Sequence, residues 1–228
     1  MSCCFEEDLH WQKNEEIVVP KTWTKGFDSP LIPSAVTFDS NRYILGINPE
    51  AARVLDDVRF LITSIAWVVT PLESGSSKIR STATWLHQRL QRLSDPEKTN
   101  GNSDEADTIW KAIRLAGLIF SWSIMSVSHI SQFPQAPVKD ELYTAMRSVS
   151  LTRWKRTPGI FLWIMLVLCP GSVNDQRGRF IRRKMAVAGL SIGFEDFPLG
   201  ISFLRAFWLV QRWIASHDGD TSQPPTET

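Results

Sequence analysis

Thr157-Pro158-Gly159-Ile160-Phe161-Leu162-Trp163-Ile164-Met165-Leu166-Val167-Leu168-Cys169-Pro170-Gly171 is the stretch whose reading decides the fold. From Ile160 to Cys169 it carries no charge and no strong hydrogen-bonding side chain. Thr157 suits a helix N-cap, and proline at the first helical position loses only an amide that is an orphan there anyway. Pro170-Gly171 then supplies the stop. The reading is a helix over Pro158–Cys169 with no polar face, which must be buried on all sides. A bilayer core asks for about 20 apolar residues. This run is too short for that, so other helices must bury it.

Working outward, helical spacing recurs along the chain. Asn48-Pro49-Glu50 reads as cap, first position and first-turn acid, followed by Ala51, Val54, Leu55, Val58, Leu61, Ile62, Ile65 and Val69 at helical intervals up to Pro71. Arg53, Asp56, Asp57 and Arg59 fall mostly on the other side. Glu73–Ser77 reads as a loop. Ile79, Ala83, Leu86, Leu90 and Leu93 form a narrow stripe, with Arg80, His87, Arg89 and Arg92 on the other faces, either a basic surface for a partner or a solvated face. After a polar loop, Ser94–Asp107, a helix runs from about Asp104 to Ile130. No Lys, Arg, Asp or Glu occurs between Leu115 and Val138, but serines and prolines dilute that run as a membrane span. A shorter helix follows over Val138–Ser150. Beyond the apolar helix, Asp175 caps a basic one closed by Gly189. The last runs from about Phe197 to Ser216, with Ile201, Leu204, Phe207, Trp208 and Ile214 facing inward and Arg205, Gln211 and Arg212 outward.

The resulting fold class is all-α, a single irregular multi-helix bundle. Its expected divisions are a poorly ordered, irregular N-terminal arm (1–47, with Ile17-Val18-Val19 and Tyr43-Ile44-Leu45 as short extended pieces), a helical body (48–216) and a disordered tail (217–228). Punctuation by Pro20, Gly26, Pro30 and Pro33 and the lack of a sustained helical period motivate the arm.

The 228-residue chain has a net charge of +1, so no whole-protein field favours nucleic acid or an anionic membrane. Ten tryptophans against two tyrosines are expected mostly to fill the core. Cys3, Cys4 and Cys169 cannot make a disulfide framework and suit a reducing compartment. The acidic N-terminus has no apolar signal-peptide run.

Little in the chain points to catalysis. There is no Walker pattern, GxGxxG, HExxH or CxxC, and His10, His87, His129 and His217 have no ligand spacing. Gly75-Ser76 and Gly171-Ser172 lack the rest of a GxSxG turn. His129 is expected to be a hydrogen-bonded interior residue and Cys169 a packing residue. The expectations are therefore no enzyme activity, no catalytic residue, no cofactor and no metal. Arg177-Gly178-Arg179-Phe180-Ile181-Arg182-Arg183-Lys184 places five cations in eight residues, either a nuclear-import or phosphate-contacting patch or a solvated face paired with Glu195 and Asp196.

The order of features from Asp56 to Ile214 resembles the C-terminal regulatory domain of fungal zinc-cluster transcription factors. The likeness is carried by Trp110-Lys-Ala-Ile-Arg-Leu-Ala-Gly-Leu-Ile-Phe120, by Pro158-Gly-Ile-Phe-Leu-Trp163, by Arg179-Phe180 opening the next helix, and by Phe203-Leu-Arg-Ala-Phe-Trp208. That family's binuclear zinc module needs six closely spaced cysteines, which this sequence does not contain. The resemblance implies a nuclear regulatory protein acting on transcription through other transcriptional proteins, as a homo- or heterodimer or alone, without sequence-specific DNA reading of its own and without a membrane span. It also implies a place in the regulation of specialised (secondary) metabolism. The alternative reading is a small helical accessory protein or enzyme of a biosynthetic pathway, cytoplasmic, holding a hydrophobic metabolite in a pocket lined by Trp67, Trp122 and Trp163 with His129 pointing in.

Overall fold

Among the described residues the regular structure is helical and there is no strand. The computed structural model describes residues 28–67, 73–93, 105–172, 178–186 and 197–217. In chain order these are α1 (Phe38–Leu45), α2 (Pro49–Trp67), α3 (Glu73–Arg92), α4 (Glu105–Met125), a 3-10 turn at Ile130–Gln132, α5 (Ala136–Ser148), α6 (Leu151–Trp154), α7 (Pro158–Leu168), a second 3-10 turn at Cys169–Ser172, α8 (178–186) and α9 (Phe197–His217). The all-α bundle read from periodicity is the observed architecture. Pro71, Ser94–Asp104, Asp175, Gly189 and the residues of the arm before Asp28 lie outside the described residues, as does the tail after His217.

The apolar run is buried on every side: each residue from Pro158 to Leu168 lies in the interior. Trp163 sits edge-on to Phe120 of α4, ring centroids 6.2 Å apart, and Phe161 stacks on Trp154 of α6 at 5.0 Å. Yet α7 is not the hub. That place belongs to α4, which contacts α2, α3, α5, α7 and the first 3-10 turn. Its length and its interior residues on every face from Leu115 to Ser121 give it the larger role. No helix among the described residues is long and apolar enough to cross a membrane.

Several sequence expectations are corrected. Thr157 does not cap α7: its side chain makes no capping bond, and its hydroxyl is buried without a partner. The cap comes from 131 residues away, where the buried Asp28 carboxylate accepts the Gly159 N–H at 2.7 Å. Gly159 is required there, since an added Cβ would stand 2.7 Å from Ser29 Cβ and 2.9 Å from the Ser29 nitrogen.

The segment read as an irregular arm contains α1. Thr37 caps it by accepting the Ser40 N–H, and Gly46 closes it in the left-handed region at φ 61°. Tyr43-Ile44-Leu45 is thus helical, not extended. Eight residues are too few for periodicity to register, and tertiary contacts hold the helix: Asp56 accepts the Phe38 N–H at 2.9 Å, and Arg153 donates to the Leu45 and Gly46 carbonyls at 2.8 and 2.6 Å.

Glu73–Ser77 begins α3 and is not a loop. One glycine and several serines weaken a helix by about 1 kcal/mol at most per residue, and burial of Ile79, Ala83, Leu86 and Leu90 outweighs that. The helix expected to reach Ile130 ends at Met125. Ser128 N–H bonds to Ser123 C=O and Val127 N–H to Ile124 C=O, the paired pattern that closes a helix through a left-handed residue. Here that residue is Val127 at φ 50°, where glycine is the usual occupant. The last helix includes His217, one residue into the expected tail.

Candidate functional site

Charge on α2 was expected to face solvent, but Arg59 is buried. Its guanidinium donates to the carbonyls of Val36 (2.9 Å) and Ser29 (3.2 Å) and lies 4.0 Å over the Phe38 ring. Burial lowers its pKa, while Asp56, 3.6 Å away, and Asp28 oppose that shift. Residues 28–38 are therefore strapped down at both ends, by Asp28 on the α7 N-terminus and by Asp56 on the α1 N-terminus, with Arg59 between. Burial pushes the Asp28 carboxyl up to about 6, against the lowering influence of the Gly159 amide, its own amide and Arg59. The hydrogen bonds of Asp28, Asp56 and Arg59 run to protein groups, so this cluster orders the chain.

The closest approach to catalytic chemistry is on α3 and α4. His87 is buried, where a solvated face was expected. Its Nδ1 is 3.1 Å from Ser121 Oγ, its Nε2 is 3.1 Å from Gln91 Nε2, and the Ser121 hydroxyl donates to the Leu118 carbonyl at 3.3 Å. One arrangement satisfies every atom: His87 donates from Nδ1 to Ser121 and accepts from Gln91 at Nε2. The imidazole is then a donor to the serine and takes no proton from it. Ser121 is fully buried, so this pair is not an activated nucleophile. Burial lowers the His87 pKa, opposed by the Leu118 carbonyl. The sequence signal was available: His87 lies four residues after Ala83 and three before Leu90, which widens the narrow stripe to include it.

The remaining candidates are not brought together. His129 is exposed, bonded to Ser131 Oγ at 2.6 Å and accepting the Ser131 N–H, which corrects its expected interior place. Trp163 is in the core, Trp122 packs edge-on against Phe133 at 5.4 Å, and Trp67 is 78% exposed, so these three do not line one pocket with His129. His217 bonds within its own helix terminus. Burial raises the Cys169 thiol pKa, with Arg182 opposing, which leaves it protonated and unreactive. Among the described residues, no group of three or more His, Cys, Asp or Glu is placed to hold a metal ion.

The basic run divides in two. Phe180 packs edge-on to Tyr143 of α5 at 6.0 Å, Arg147 lies 5.5 Å over the Phe180 ring, and Lys184 lies 5.5 Å over the same ring. Tyr143 and Arg147 fasten α8 to α5 through Phe180, whereas the Lys184 contact lies within α8. Arg179 and Arg183, four apart on α8, are exposed. Arg177, Glu195 and Asp196 lie outside the described residues.

What the surface does present is apolar. On α9 the inward face is Phe203, Phe207, Val210, Trp213 and Ile214. Ile201, Leu204 and Trp208, expected to face inward, are 48%, 53% and 56% exposed. The helix is apolar on both sides, so sequence period alone could not choose between them. α9 packs on α2, whose own outer surface shows Phe60 at 62% and Trp67 at 78% exposure, about two turns apart. Trp85 on α3 is also exposed. The expectation that most tryptophans fill the core holds for Trp110, Trp154, Trp163 and Trp213 and fails for these three surface residues. Exposed large aromatics rimmed by cations mark interaction surfaces, where tryptophan and arginine are enriched. Comparison with protein-family models, with curated proteins and with solved structures finds no match.

Proposed function

We propose that this chain is a non-catalytic helical interaction protein that acts on transcription through partner proteins, as its resemblance to the regulatory domain of fungal zinc-cluster factors implies. The observation that carries the interaction part is the exposed apolar stripe of α9, Ile201, Leu204 and Trp208, on a helix whose opposite face already fills the core. An interior face explains why α9 folds onto the body. It does not explain a second apolar face in water, which costs solubility and is retained where a partner covers it. The transcriptional part rests on the motif order from Trp110 to Trp208, and on the exposed Arg179 and Arg183 as cations available for nuclear import. On this reading the protein is nuclear, reads no DNA sequence by itself, and belongs to the regulation of specialised metabolism.

The test is to tether the full chain to a heterologous DNA-binding domain upstream of a reporter and to follow its location by fluorescence. The expected result is altered reporter transcription and nuclear accumulation. An unchanged reporter together with exclusion from the nucleus would refute the transcriptional role.

A further inference from the structure

Three features of α9 bear on what covers it. Ile201, Leu204 and Trp208 are spaced by three and four residues, the interval that keeps side chains on one seam of a helix. Arg205 and Arg212 are exposed next to this seam, seven residues apart, and Arg212 lies 5.4 Å over the Trp208 ring. From Phe197 to His217 the helix contains no aspartate or glutamate. Among the described residues, neither Arg205 nor Arg212 has an ion-pair partner. The seam is therefore an apolar strip with a one-signed, unneutralised rim.

From this charge pattern, we infer that the α9 seam docks an amphipathic helix of a partner protein whose apolar stripe is flanked by acidic side chains. The inference rests on the interaction reading above and names its partner class. Helix-on-helix recognition uses anchors at these intervals, and flanking charges set which partner is accepted. A second copy of this chain is the disfavoured occupant. Pairing two α9 helices would set rims of arginine beside each other with no acid on either helix, and like charges across an interface select against that pairing. The acidic partner instead neutralises both guanidinium groups while Leu204 and Trp208 leave water. Trp208 is the expected anchor, a large ring whose loss weakens binding most.

The probes are two labelled synthetic helical peptides of about 20 residues, long enough to hold helical structure. Both carry leucines at the three–four interval, one flanked by glutamate and one by lysine. Fluorescence anisotropy with the purified full chain is expected to show the glutamate peptide binding at least about tenfold tighter than the lysine peptide, with the preference falling as salt rises. The double variant Arg205→Glu/Arg212→Glu should exchange the preference, and Trp208→Ala should weaken both peptides. Circular dichroism checks that each variant keeps its helix content; reversal of preference cannot come from unfolding. Equal binding of the two peptides, or none, overturns the inference. So does self-association of the native chain in sedimentation that Leu204→Ser abolishes, which would assign the seam to a second copy. A silent reporter with the peptide preference intact removes the transcriptional role alone, whereas an active reporter with no preference removes the docking inference alone.

Discussion

Replacing Asp28 by asparagine isolates the energetic role of the strap. The carboxylate is buried and accepts the Gly159 N–H at 2.7 Å, while burial raises its pKa from 3.8 to about 6. Asparagine keeps an oxygen for that amide and removes the ionisation. The sign follows from proton binding. Below about pH 4 the carboxyl is protonated in folded and unfolded chains alike. Between about 4 and 6 the folded protein holds a proton that the unfolded chain has lost, so stability falls as pH rises through this window. Above about 6 both forms are ionised and the full penalty of a buried charge remains. The interval from 3.8 to about 6 corresponds to about 3 kcal/mol. Urea unfolding followed by tryptophan emission, taken from pH 4 to 7 for both proteins, gives the difference curve, in which the other titrating groups cancel. The expected curve shows the native chain losing about 3 kcal/mol relative to Asp28→Asn across the window and then levelling. Asp28→Ala also removes the cap on α7 and should lie about 1 kcal/mol below the asparagine variant. A flat difference curve, or native stability that rises relative to the variant between pH 4 and 6, would refute the picture of a desolvated carboxylate at this helix terminus.

Gly46→Ala places a side chain at φ 61° and 2.9 Å from the Arg153 guanidinium; a loss of about 1–2 kcal/mol is expected in urea unfolding. Trp163→Ala empties a fully buried site against Phe120 and should cost about 3–5 kcal/mol, read as a lowered denaturation midpoint with unchanged helix content in water. His87 has its pKa depressed by burial, so the unfolded chain binds a proton more readily, and stability is lost as pH falls below about 6.5. His87→Gln should flatten that limb of the profile, and an unchanged acid limb in the same titration would place the effect elsewhere. Because His87 and Asp28 act with opposite sign in neighbouring ranges, only differences between native and variant curves report either one.

How much was legible beforehand depended on whether a residue's neighbours lay close in sequence. The interior of α2, the stripe Ile79–Ala83–Leu86–Leu90 and the buried rod of α7 follow from local period and composition, and the structure places them as expected. Caps were less legible. Thr157 has the right chemistry at the right position, yet a carboxylate from a distant segment reaches the α7 amide first. The end of α4 was missed because its closing residue is valine, which carries no stop signal. Polar residues were misplaced in both directions: His129 was read as interior and is exposed. Arg59 and His87 were read as solvated, but each is buried with partners that become neighbours only after folding: the Ser29 and Val36 carbonyls for one, Ser121 for the other.

The sequence by itself determined an all-helical bundle with a fully apolar rod, because helical period and an unbroken run of large side chains are local properties. It also fixed the composition of α9, with apolar residues on two sides and no acid. Only the tertiary structure decided which of those sides is inside. Packing of α9 on α2 buries Phe203, Phe207 and Val210 and leaves Ile201, Leu204 and Trp208 facing water. The choice depends on the surface that α2 offers, and no window of α9 contains that information.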